Sequence, residues 1–117
     1  MITELVSKVF SARNVSHLAH WATKSFSEHM ALGEFYDGAI DLIDKFVEAY
    51  QGQFGLIEVK KLDTDLERSI LYWLNEDVKW MQANCDEITG EVEALENILQ
   101  EIEGLYLKTI YKLENLS

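Results

Sequence analysis

The sequence predicts an all-α fold, a four-helix bundle, and three observations carry that prediction. No proline occurs in 117 residues, so nothing interrupts the backbone ladder of a long helix. Apolar residues recur at three- and four-residue intervals through four separate stretches, the period of a helix with one buried face. The six glycines fall mostly where such stretches should end or cross. A single domain spanning residues 1–117 is expected, long enough for one hydrophobic core.

The first helix is read from about Ile2 to Ala22, with Leu5, Val6, Val9, Phe10, Val15, Leu18 and Trp21 on its apolar face. After a polar break, Ser25 and Glu28 form a capping-box pattern in which hydroxyl and carboxylate satisfy free backbone N–H groups. The second helix therefore starts near Phe26 and runs to about Gln51, with Gly52 as terminator. Its apolar face, Leu32, Phe35, Tyr36, Ala39, Ile40, Ile43, Phe46, Val47 and Tyr50, is wide enough to contact a partner as well as its own core. Gln53 to Leu62 has no clear period and reads as a crossing loop. Thr64 and Glu67 form a second capping-box pattern, opening a third helix with Leu66, Ile70, Trp73, Leu74, Val78 and Met81 inward to about Asn84. A turn at Asp86 to Gly90 leads to the last helix, Glu91 to Leu113, whose inward residues are Val92, Leu95, Ile98, Leu99, Ile102, Leu105 and Ile110.

A net charge of −11, with only ten Lys and Arg that nowhere cluster, argues against a nucleic acid as direct partner. An acidic surface suits attraction of cations and equally suits solubility. No apolar run approaches the roughly 18 residues a membrane span needs. The first ten residues contain Glu4 and lack the basic start and apolar run of a secretory signal, so a cytoplasmic location is expected. Cys85 is the single cysteine and is read as a small apolar residue at a helix end.

The residues with metal-binding chemistry are His20, His29, Asp44 and Glu48, with His17 and Asp37 as additional candidates. His29 and Asp44 are fifteen residues apart on one predicted helix, about 22 Å at 1.5 Å per residue, so they cannot hold one ion within a single chain. Asp44 and Glu48 are one turn apart, and His20 at the end of the first helix can approach His29 near the start of the second. Two copies of the second helix packed antiparallel about a two-fold axis would bring His29 of one level with Asp44 and Glu48 of the other. The midpoint of that overlap falls near Asp37 and Gly38, where a glycine would permit close approach. Asp37, Asp41, Asp44 and Glu48 also have the spacing of a solvated helix face. A metal site inside one bundle would need Glu-x-x-His pairs, which the sequence lacks, and no nucleophile motif or phosphate-cradling glycine loop is present.

The run from His20–Trp21 through His29 to Asp44–Lys45–Phe46–Val47–Glu48 resembles the Dps-type mini-ferritins of the ferritin-like superfamily, and residues 14 to 50 are also similar to short ferritin-like proteins of tailed bacteriophages. The resemblance implies a ferroxidase site across a dimer interface, with His20 and His29 from one subunit, Asp44 and Glu48 from its mate, and Trp21 beside them. It further implies uptake and oxidation of Fe(II) by peroxide or dioxygen in at least a dimer. Mixed histidine and carboxylate ligands accept zinc or manganese as well as iron.

The chain departs from that pattern at Gly33, where the family usually has an acid, in a shorter His20-to-His29 interval, and in the want of a long basic tail. DNA binding is therefore not implied. Glu34 and Asp37 are the nearby acids that would substitute, and His17 would supply a further nitrogen. The alternative expectation is a non-enzymatic ferritin-like interaction protein, a bacteriophage factor that binds a host protein, in which the metal site has decayed.

Overall fold

The computed structural model of the chain describes residues 1–59, 61, 62 and 64–117. Its helices are α1 (Ile2–Ala22), α2 (Phe26–Phe54), α3 (Ile70–Ala83), α4 (Cys85–Thr89) and α5 (Glu93–Asn115), and the described residues form no strand. The all-α expectation holds. No helix among the described residues is long and apolar enough to cross a membrane.

Local chemistry accounts for where the helix ends differ from the sequence reading. Ser25 caps α2 as expected, its Oγ accepting the Glu28 N–H, but the Glu28 carboxylate accepts the Thr23 hydroxyl at 2.6 Å instead of reaching back to the cap N–H. That N–H donates to Thr23 Oγ1. α2 continues past Gly52 to Phe54, because Gly55, at φ 97°, takes the positive-φ position that ends it. The Thr64–Glu67 pattern does not start a helix: Asp65 accepts the Glu67 N–H in a local turn, and its own N–H donates to Ser11 Oγ on α1. Ser69 caps α3 instead, accepting the Tyr72 N–H, so α3 has only 14 residues. The expected turn at 86–90 is largely the short helix α4, closed by consecutive positive-φ residues, Gly90 and Glu91.

The four longer helices share one core. α1 packs on α2 and α3, and α5 packs on the same two helices. Leu5, Val9, Phe35, Phe46, Leu74, Met81, Leu99 and Ile102 are sealed between them. Gly38 lies at the α2–α5 crossing, where a Cβ would stand 3.0 Å from Leu105 Cδ2. Its smallness thus serves a contact within the chain. Two residues assigned to the apolar face of α1, Leu18 and Trp21, are instead 46% and 69% exposed.

One carboxyl belongs to the core. Asp77 of α3 is fully buried and its Oδ2 accepts the hydroxyl of Tyr106 on α5 at 2.9 Å, while Oδ1 has no partner among the described residues. Burial pushes Asp77 up to about 7, against smaller lowering effects from the Tyr106 bond and the Lys8 charge.

Candidate metal centre

α1 stops at Ala22 where Thr23 turns extended, and α2 starts at Phe26, so a connection of three residues brings the last turn of α1 beside the first turn of α2. His20 and His29 meet there as predicted. Their rings stack with centroids 3.7 Å apart and planes inclined by 19°. His20 Nδ1 lies 2.6 Å from the His29 carbonyl oxygen, and His29 Nδ1 lies 2.9 Å from that of His20. A carbonyl can only accept, so each Nδ1 carries the proton and donates. Each Nε2 is then the atom that holds the lone pair of a neutral ring. Fixing Nδ1–H on a backbone carbonyl is the way metal-ligating histidines are oriented. The His20 carbonyl, in the last turn of α1, is also one of those a helix end leaves without an intrahelical partner.

Gly33 gives this stack room. A Cβ at position 33 would lie 3.2 Å from His20 Cε1, close enough that the ring would have to give by a few tenths of an ångström. Glu34 does not replace that acid. Its carboxylate binds Lys112 at 2.5 Å and Lys108 at 3.6 Å, both on α5, and the Lys112 bond leads in holding it below the usual carboxylate range. Asp37 stays on the exposed surface of α2. His17 stacks on Tyr36 at 4.0 Å and meets Trp21 at 4.5 Å, while its ring lies 6.4 Å from that of His20.

Asp44 and Glu48 are both exposed on α2, and neither holds a hydrogen bond or ion pair with another described residue. Asp44 edges a shallow cleft of about 160 Å³ shared with Phe10, Val47 and Val59. Because α2 is one continuous helix of 29 residues, the separation of about 22 Å between His29 and Asp44 stands. The histidine pair and the carboxylate pair are therefore two separate groups within one chain.

Two arrangements escaped the sequence reading, which placed Tyr36 only on the apolar face of the second helix. Tyr36 stands between the histidines, stacked on His17 and edge-on to His20 at 5.3 Å. Its signal was the spacing of His29, Gly33 and Tyr36, all on the α2 face toward α1. Elsewhere, Cys85, Asp86 and Glu96 have ligand atoms within 4.8 Å of one another, the one such group of three among the described residues. Burial, then the Glu103, Glu96 and Asp86 charges, push the Cys85 thiol up. The turn through α4 creates that proximity, and no spacing rule announces it.

Comparison with known proteins gives two matches. The model of a family of unknown function, DUF5856, matches residues 20–113, a span containing His20, His29, Asp44 and Glu48 but not His17. The uncharacterized 14.6 kDa protein in the mobD–ri intergenic region of Enterobacteria phage T4 is 34% identical over 100 residues, covering 74% of this chain and 78% of that protein. No solved structure matches. The kinship with a bacteriophage protein agrees with the sequence reading, whereas the likeness to Dps-type ferritins rests on the residues alone. With four-fifths of its length inside the matched span, the chain belongs to the family DUF5856.

Proposed function

We propose that this protein is a ferritin-like four-helix bundle that takes up Fe(II) at a site shared between two copies and oxidises it. The observation that supports this most is the reciprocal Nδ1–H donation of His20 and His29, which leaves both Nε2 atoms as ligand atoms. Asp44 and Glu48 of a second copy complete the site when α2 packs antiparallel on α2. Their exposure and lack of partners suit that role. Iron is the substrate: two Fe(II) each give up one electron, and one hydrogen peroxide takes both together with two protons to yield two waters. The histidines and carboxylates bind and orient the ions, and Trp21 stands near them. Zinc or manganese fits the same donors.

The test is anaerobic calorimetric titration of Fe(II), followed by peroxide under optical detection. His29→Ala and Asp44→Ala should each abolish binding. Mixing the two variants should restore roughly one site in four, because a mixed dimer keeps one intact site. No restoration, with both variants folded, refutes a shared site.

A second reading is a non-enzymatic phage factor that binds a host protein. It is favoured by the exposure of Trp21 and Phe26, 69% and 78%, since large aromatics in the open are typical anchors of protein interfaces. Absence of metal binding in a well-folded protein selects it.

A further inference from the structure

We propose that a groove at the other end of α1 binds a small oxyanion, a phosphate or carboxylate group, through Lys8 and Lys61. The groove has a volume of about 310 Å³ and lies between the first turns of α1, Lys61 and Trp73 of α3. Lys8 is twelve residues before His20 on the same helix, about 18 Å away, so this is a separate place from the histidine pair.

Its chemistry is opposite in sign to that of the whole chain. In a protein of net charge −11, neither Lys8 nor Lys61 has a carboxylate within ion-pair distance among the described residues. Lys8 is partly buried, its Nζ over the Trp80 ring at 5.1 Å, so its charge is screened less than that of a free surface lysine. Thr3, Ser7 and Ser11 add hydroxyls to the same wall. Ser11 is fully buried and its Oγ accepts the Asp65 N–H, which leaves its proton to donate. Donors therefore dominate the lining. The one carboxylate of the groove, Glu4, faces the N-terminal ammonium at 3.8 Å, and the neighbouring Asp65 is engaged by Arg68 at 4.0 Å. Two lysines and three hydroxyl-bearing residues lining one pocket match an anion with several acceptor oxygens.

Intrinsic fluorescence reads the site directly once the exposed Trp21 is replaced, because the remaining tryptophans are Trp73 in the groove wall and Trp80 beneath Lys8. The Trp21→Phe protein is titrated with inorganic phosphate, with succinate, and with chloride at matched ionic strength. A saturable change with phosphate or succinate and none with chloride is expected, and the stronger of the two identifies the oxyanion. Lys8→Met, which keeps the apolar stem, should bind roughly tenfold more weakly or worse. Unfolding midpoints of the variants, measured alongside, establish that they are folded. A response equal to that of chloride, no saturable response, or a response kept by the folded Lys8→Met, Lys61→Met double variant overturns the proposal.

Discussion

Replacing Asp77 by Asn should weaken the fall of stability with rising pH below neutrality. The carboxyl is fully buried, with one oxygen bonded to Tyr106 and the other unpaired, and the charges acting on it are Lys8 from α1 and Glu76 from α3. Its folded value of about 7 stands above the ordinary 3.8 of the unfolded chain. Between those two values the folded state holds a proton that the unfolded state has lost, so stability falls as pH rises from about 4 to about 7, then levels off. The gap of roughly three units corresponds to an upper bound of about 4 kcal/mol, a large part of the about 5–15 kcal/mol of an ordinary domain. Relief of acidic self-repulsion also favours the folded state at low pH, so the parent curve alone does not isolate Asp77. The difference between parent and Asp77→Asn does. Urea unfolding at pH 4.5, 6 and 8 should show the variant near parity at the lowest pH and more stable by up to about 4 kcal/mol at the highest. Equal slopes for the two proteins would refute the burial argument.

Other consequences follow from the glycines and the histidine stack. Gly52 and Gly104 sit inside helices with open space around a built Cβ, so Gly52→Ala and Gly104→Ala should each stabilise by about 0.5–1 kcal/mol, seen as a higher unfolding midpoint. Gly90→Ala should destabilise by more than about 1 kcal/mol, because its φ is positive and a Cβ would come within 2.7 Å of Phe54 Cζ. Gly33→Asp restores the acid of the mini-ferritin pattern, yet it should weaken Fe(II) binding in calorimetry, since its Cβ would displace the His20 ring.

The sequence made the helices legible wherever a cap and an apolar stripe agreed. Ser25 did so for α2, and Leu95, Ile98, Leu99 and Ile102 did so for α5. It misled at Thr64, whose capping-box spacing opens no helix: the next residue, Asp65, is tied to Ser11 on α1, and Ser69 caps α3. Gly52 and Gly55 compete to end α2, and only backbone conformation chooses between them. Within the site, the nine-residue interval was enough to bring His20 and His29 together because the connection is short. The role of Gly33 was not legible, because a missing side chain gains meaning only from the ring that fills its place. The exposure of Trp21 was equally hidden, since helical periodicity alone does not say where on a helix the core ends.

The stack of His20 on His29 joins α1 to α2 and also presents two ligand atoms, and one pair of substitutions separates these roles. The structural role uses the ring faces and Nδ1–H, the atom each ring gives to the other carbonyl. Metal ligation uses Nε2 alone. An asparagine amide places an N–H donor near the position of Nδ1 and nothing at Nε2, so His29→Asn should keep most of the bond to the His20 carbonyl. His29→Ala loses that bond and the ring stack, at a cost of about 1–2 kcal/mol. On the metal reading both variants lose Fe(II) binding, whereas the asparagine variant, which loses the ring stack but keeps the bond to the carbonyl, loses less stability than the alanine variant. Full Fe(II) affinity in His29→Asn would show that Nε2 of His29 is no ligand, and would leave the stack as a device for holding the ends of two helices together.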